Sequence, residues 1–183
     1  MPNIVIMQGV PGSGKTTVVN EKYIPQGYQI ICRDDFRFSM GLGYGQNLNE
    51  KMEEEIEKIH KAVLAALMHR GCNIVIDECN VRQKYLQNLW MYIVKHMKKY
   101  NKEYTITIHT LDVDVDECIK RRGPNFPEHA IRRMDKLLRE EGLPYIKRVL
   151  LENEESGIDM LNHVVYLKRM EKEHNRGTLL VAN

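Results

Sequence analysis

The chain has 183 residues, 43% hydrophobic and 28% charged, the proportions of an ordinary globular protein long enough to bury a core without disulfide or metal staples. Its 27 Lys and Arg against 25 Asp and Glu leave a net charge of +2, which excludes a uniformly basic tail, so any anion must be gripped locally. No run approaches the ~18 apolar residues of a membrane span. The start MPNIVIMQGV has no basic segment ahead of its apolar run, and the four cysteines form no C-x-x-C pair. The expectation is one intracellular, cytoplasmic domain over residues 1–183 with reduced, buried thiols.

A β-branched run at Asn3–Met7 predicts a strand, a glycine-rich turn follows, and Lys15–Tyr23 reads as a helix. Tyr28–Cys32 predicts a second strand, leading into the polar cluster Arg33-Asp34-Asp35-Phe36-Arg37. From Leu48, apolar residues recur at Met52, Ile56, Ile59, Val63 and Leu67, one face of an amphipathic helix that ends at Gly71. The run Glu53-Glu54-Glu55-Ile56-Glu57 is expected on its wet face. Asn73–Ile76 predicts a third strand, followed by a helix with Leu86, Leu89, Trp90, Ile93 and Met97 inward. Lys95, Lys98, Lys99 and Lys102 are expected to form its solvated end, favoured by the helix dipole. Tyr104–Val113, rich in Thr and Ile, is the clearest strand. Asp116–Arg122 and Pro127–Glu141 predict two more helices, the second with Pro in its first turn, and Val164–Leu167 a final strand. Pro144–His163 carries no readable period, and residues 144–183 are taken as the C-terminal part of the same domain. Strands alternating with helices predict βαβ units and a parallel sheet covered on both faces.

Gly9–Thr16 reads G-V-P-G-S-G-K-T, a full match to G-x-x-x-x-G-K-[ST], between a predicted strand and a predicted helix. Glycines let successive N–H groups turn toward phosphate oxygens, and the helix N-terminus adds partial positive charge. On this reading Gly12, Ser13, Gly14, Lys15, Thr16 and Thr17 cradle a nucleotide. Lys15 reaches its β- and γ-phosphates, and the Thr16 hydroxyl ligates Mg²⁺. ATP and Mg²⁺ are the expected cofactors. The loop alone does not decide the fate of the phosphate, since GTPases, motor ATPases and kinases share it.

The cluster Arg33–Arg37 follows an apolar strand at its carboxyl end, where doubly wound sheets bind ligands. A phosphotransferase needs a carboxylate to take the proton of the attacking hydroxyl and an arginine to hold an anionic acceptor; this cluster offers both. A polar turn with Asp34 capping the next helix is the alternative. The third strand closes on Ile76-Asp77-Glu78-Cys79-Asn80, and an acid after an apolar run suits a Walker B-type role near Mg²⁺. The residues leave open whether Asp77 or Glu78 takes that role. Asp112-Val113-Asp114-Val115-Asp116 has the outline of a haloacid-dehalogenase phosphatase motif, but the residues expected next are missing, and an acid-rich helix start explains it better.

In order, GVPGSGKTT, CRDDFRFSM, IVIDECN, LDVDVDECIKRRG and the Pro-started helix IRRMDKLLREEGLP resemble the 5′-kinase domain of phage polynucleotide kinase and its relatives, from about Ile4 to Tyr145. The resemblance implies a three-layer α/β P-loop kinase fold with a central parallel sheet and a small helical lid, here Arg121 to about Phe126. It implies transfer of the γ-phosphoryl group of ATP to the 5′-OH end of DNA or RNA. It also implies Asp34 as general base, Arg37 as ligand of an acceptor phosphate, and Asp77 and Asn80 beside the acceptor. Alignment on Gly123 makes Arg122 the lid arginine, with Arg121 beside it. The adjacency of these two arginines departs from the spaced arginines common in the family. The rivals are a P-loop kinase of a nucleoside, sugar nucleotide or antibiotic, and a switch or ATPase that transfers nothing to a hydroxyl.

Overall fold

Six strands form one sheet: β1 (Asn3–Gln8), β2 (Gln29–Ile31), β3 (Ile74–Ile76), β4 (Thr105–Val113), β5 (Leu161–Lys168) and β6 (Leu179–Val181), in the order β2-β3-β1-β4-β5-β6. The computed structural model describes residues 1–43, 49–124, 126–156, 161–168 and 179–181, with side-chain surroundings as far as Val149. The first five strands run parallel, and β6 adds an antiparallel edge to β5. The fold is the expected P-loop kinase fold, although Val164–Leu167 is the core of β5 and not the last strand.

β1 lies between β3 and β4, with Ile4 opposite both Ile74 and Ile106. A parallel strand covered on both faces must be apolar throughout, and Ile4–Met7 are at most 1% exposed. Alternation sorts them between two cores. Ile4 and Ile6 pack with Leu64 and Met68 of α3 (Glu50–Arg70) and with Leu86 and Ile93 of α4 (Gln83–Tyr100). Val5 and Met7 pack with Val19, with Cys118 of α5 (Val115–Arg122) and with Ile131 of α6 (Glu128–Leu137). The four cysteines are unpaired, but only Cys118 is fully buried; Cys32, Cys72 and Cys79 are half-buried.

Several elements differ from the expectation. The helix after the glycine-rich loop, α1 (Lys15–Val18), widens into a π turn at Val19–Tyr23 and closes as a 3₁₀ turn at Ile24–Gln26, where Pro25 and the left-handed Gly27 stop it. Arg33–Ser39 is a helix, α2, and not a turn; Cys32 occupies its N-cap position, so Asp34 lies in the first turn where the dipole favours a carboxylate. α3 is capped by Asn49, whose side chain accepts the Met52 N–H at 2.9 Å. Its buried stripe is Ile56, His60, Leu64 and Met68, while Ile59, Val63 and Leu67 are half-buried. The start expected at Leu48 lies outside the described residues. The unreadable stretch contains α7 (Leu143–Ser156), with Pro144 tolerated in its first turn. Among the described residues no helix is long and apolar enough to cross a membrane.

From β1 the chain passes to β2 beyond β3, and from β3 it crosses β1 to reach β4. The connections therefore leave the carboxyl ends of these neighbours in opposite directions, which opens a crevice between them. The far end of the core is anchored by Tyr104, fully buried, whose hydroxyl donates to Met68 O at 3.1 Å. Tyr104→Phe is expected to cost about 1 kcal/mol and Tyr104→Ala about 3–5 kcal/mol, read from urea unfolding midpoints.

Candidate active site

The crevice is a cleft of about 980 Å³, and it brings together the residues expected to bind nucleotide and acceptor, from Gly12 to Thr17 through Asp34, Arg37, Asp77 and Asn80 to Arg121 and Arg122. The loop between β1 and α1 is shaped by packing as well as by conformation. At Gly12 (φ 86) a Cβ would lie 2.4 Å from the Cys118 carbonyl oxygen, so α5 presses directly on the loop. Gly14, left-handed at φ 96, occupies the N-cap of α1. The Lys15 ammonium is buried and donates to the Gly9 and Val10 carbonyls at 2.9 Å each. The Ser13 hydroxyl is buried and has no hydrogen-bond partner among the described residues. Thr16 and Thr17 are exposed to the cleft.

The acids at the end of β3 divide their work. Thr16 Oγ1 donates to Asp77 Oδ2 at 2.7 Å. Burial raises the Asp77 pKa, opposed by that hydrogen bond and by the charge of Lys15. Glu78 turns away from the loop and accepts one edge of the Arg33 guanidinium, Nε at 2.8 Å and Nη2 at 2.6 Å. His60 Nε2 comes within 3.3 Å of Glu78 Oε1 without hydrogen-bond geometry, and burial lowers its pKa, so a neutral ring closes this group. Asn80, left-handed at φ 47, donates from Nδ2 to Met7 O at 2.9 Å, and its own carbonyl accepts Gln8 Nε2 at 3.0 Å. The Gly9 N–H adds a bond to Cys79 O at 3.0 Å. Asn80 thus stitches the β3 loop to the end of β1.

On α2, Arg37 Nη1 donates to Asp34 Oδ1 at 2.5 Å, while its Nε donates to Glu53 Oε2 at 3.1 Å and its Nη2 to Glu53 Oε1. Glu53 also lies 3.9 Å from Arg33 Nη1. The expectation that Glu53 belongs to a wet helix face is therefore overturned: it ties α3 to α2. Periodicity could not reveal this, because a pattern along one helix is blind to a cation on another. The Cys32 thiol nearby has its pKa pushed up to about 11 by burial, so it is protonated at neutral pH and no nucleophile.

The expected lid is the end of α5 with its connection to α6; Asn125 lies outside the described residues. Asp114 caps α5 by accepting the N–H groups of Asp116 and Glu117 at 2.9 and 3.2 Å, and Asp112 pairs with Arg139 at 3.2 Å, so the acidic cluster has structural partners. Arg121 Nε donates to Glu117 at 2.8 Å and its Nη1 to the Gly12 carbonyl at 3.4 Å. The Arg122 guanidinium lies 5.1 Å from the centre of the Phe126 ring.

Residues 4–140 match the family model described as AAA domain. The chain belongs to this family. It is similar, at 29% identity and a TM-score of 0.62, to a chain in the structure of the Pnkp1/Rnl/Hen1 RNA repair complex, over 75% of its own length and 44% of that chain. The protein thus spans less than half the length of that relative. Its fold is shared with the AvrRxo1-ORF1:AvrRxo1-ORF2 structure with sulphate ions (14% identity, TM-score 0.64, covering 99% and 57% of the two chains). It is shared also with the PezAT toxin-antitoxin system of Streptococcus pneumoniae (17%, 0.62, 91% and 67%). No curated protein matches. The P-loop kinase fold and the resemblance to polynucleotide kinases agree with these matches.

Because the folded-state pKa of Asp77 is raised, its charge destabilises the fold at neutral pH, and that cost is absent below the ordinary carboxylate pKa. Asp77→Asn keeps an oxygen for Thr16 and removes the charge. It is expected to melt higher than wild type at about pH 7.5 and to show no such gain at about pH 3, by scanning calorimetry.

Proposed function

We propose that the protein is an ATP-dependent polynucleotide 5′-hydroxyl kinase. The observation that carries this reading is the Asp34–Arg37 pair on α2, 2.5 Å apart and lining the same cleft as Lys15 and Thr16. A switch that transfers nothing to a hydroxyl needs no such pair. The polynucleotide acceptor is favoured over a small molecule by the 29% identity to a chain of an RNA repair complex.

The loop fits a triphosphate. Its ammonium rests on two carbonyls that a more anionic ligand can replace, and the orphaned Ser13 hydroxyl is a donor inside the cradle. Thr16 and Asp77 supply the hard oxygen ligands that suit Mg²⁺. Bound there, Mg²⁺ would supply positive charge against that of the β- and γ-phosphates. Lys15 holds the same phosphates in line with the acceptor. Asp34 accepts the proton of the 5′-hydroxyl as its oxygen bonds to the γ-phosphorus and the bond to the ADP leaving group breaks. Arg37 grips the acceptor's phosphate, while Arg122, with Arg121 beside it, meets the charge on the transferring group. Asp77 and Asn80 shape the acceptor side, Asn80 through its hold on β1.

γ-Labelled ATP offered with 5′-hydroxyl DNA and RNA strands, nucleosides and sugar nucleotides tests the assignment. Strands should be labelled; label on small molecules alone would make the protein a small-molecule kinase, and hydrolysis without transfer would make it an ATPase. Asp34→Asn is expected to slow single-turnover transfer by about 10²–10⁴ with nucleotide binding intact, and Asp35→Asn far less. Arg122→Ala should lower kcat by about tenfold or more with little change in ATP affinity. Arg121→Ala, whose side chain is partly committed to Glu117, should be milder.

A further inference from the structure

Charge is segregated on α4. Residues 82–102 contain Arg82, Lys84, Lys95, Lys98, Lys99 and Lys102 and neither Asp nor Glu, a local +6 in a chain of +2, so the remainder carries −4 by difference. Several cations elsewhere are paired, among them Lys58 with Glu55 and Lys61 with Glu57 on α3, Arg132 with Asp116 and Glu128, and Arg139 with Asp112 and Asp135, although Lys22, Lys51, Arg70, Lys120 and Arg133 have no such partner among the described residues. Among the described side chains, none of these six, on α4 or just flanking it, has a carboxylate within ion-pair distance.

Helix stability accounts for only part of this. Lys98 and Lys99 lie in the last turn, where the dipole favours cations. Arg82 occupies the N-cap and Lys84 the first turn, which has no acidic residue; there the dipole disfavours them. Those two belong to the end of the helix nearest the active site, and Arg82 and Tyr85 line the cleft itself, the guanidinium 5.8 Å from the ring centre.

Five of the exposed positions form one line. Lys84, Asn88, Met91, Lys95 and Lys98 are all exposed, and spacings of four and three put them on a single face. At 1.5 Å per residue they span about 21 Å, the length of about six phosphates at 3.4 Å per nucleotide of a stacked strand. Partway along, Trp90, Met91 and Val94 floor a recess of about 460 Å³ flanked by Lys95 and Lys98, with Met91 54% exposed. An apolar floor between ammonium groups suits a strand whose bases and sugars lie on the protein while its phosphates meet the lysines.

We propose that this face of α4 is the track of the acceptor strand beyond its 5′-terminal nucleotide, a single-stranded polyanion led away from the cleft past Arg82 and Tyr85. The inference rests on the polynucleotide kinase reading. Lys95 and Lys98 are exposed and do not line the cleft, so their removal should leave the chemistry intact.

The test measures KM for 5′-hydroxyl strands from a dinucleotide up to about twelve nucleotides, for wild type and for the double variant Lys95→Ala, Lys98→Ala, across a salt series. For wild type, KM should fall as the strand lengthens. For the variant, KM of the longest strand should rise about tenfold, and the slope of log KM against log salt should drop by about 1.4, two contacts at about 0.7 each. KM for the dinucleotide and ATP affinity should not move. A length dependence and salt slope unchanged by the double substitution would overturn the track and leave this face to another partner, such as an acidic protein. A wild type indifferent to strand length would overturn it equally. If wild type labels no strand of any length, the kinase reading itself fails, a separate outcome.

Discussion

The site depends on the seam between β1 and β3. Two parallel strands of unequal length meet at their carboxyl ends, where the ladder runs out and polar backbone groups would otherwise be buried without partners. Asn80 supplies them: its amide bonds the Met7 carbonyl, and its carbonyl is met by Gln8, while Gly9 bonds Cys79. The left-handed backbone at Asn80, tolerated by a short polar side chain, makes this possible. The seam sets Asp77 opposite Thr16, so this hydroxyl–carboxylate contact of the loop is a consequence of strand register.

A second set of constraints fixes α2. This helix is short and buries no residue fully, so packing alone holds it weakly. Its two arginines do the rest, Arg33 through Glu78 of the β3 loop and Arg37 through Glu53 of α3. Removing one partner of such a pair leaves a partly buried charge uncompensated, which is why these contacts specify a position more than they add stability. Asp34 therefore lies at the cleft because the β3 loop and α3 together hold the helix that carries it.

The same cleft is closed from the other side by α5, whose Cys118 carbonyl leaves room for no Cβ at Gly12. Acids cap the start of α5 and arginines end it over the loop, so one helix orients its positive side chains toward the phosphate cradle while its own dipole is compensated at both ends. Arg121 and Arg122 divide between the loop carbonyl and the Phe126 ring.

The phosphate loop, the parallel strands and the order of elements were legible in the sequence, because each depends on local rules: glycines at fixed offsets, β-branched runs buried on both faces, and caps at helix ends. Contacts between elements distant in the chain were not legible. Glu53 read as solvated until α3 was set against Arg33 and Arg37. Asp77 and Glu78 were equivalent as letters, and only the pairing of β3 with β1 turned one toward Thr16 and the other toward Arg33. α7 and β6 escaped notice because a proline in a first turn and a three-residue edge strand have no period of their own. The lysines of α4 could be counted from the sequence, but their alignment with Arg82 and Tyr85 at the cleft belongs to the helix and its place in the sheet. Short-range geometry is encoded by neighbouring residues; charge partners are decided by which surfaces the core forces together.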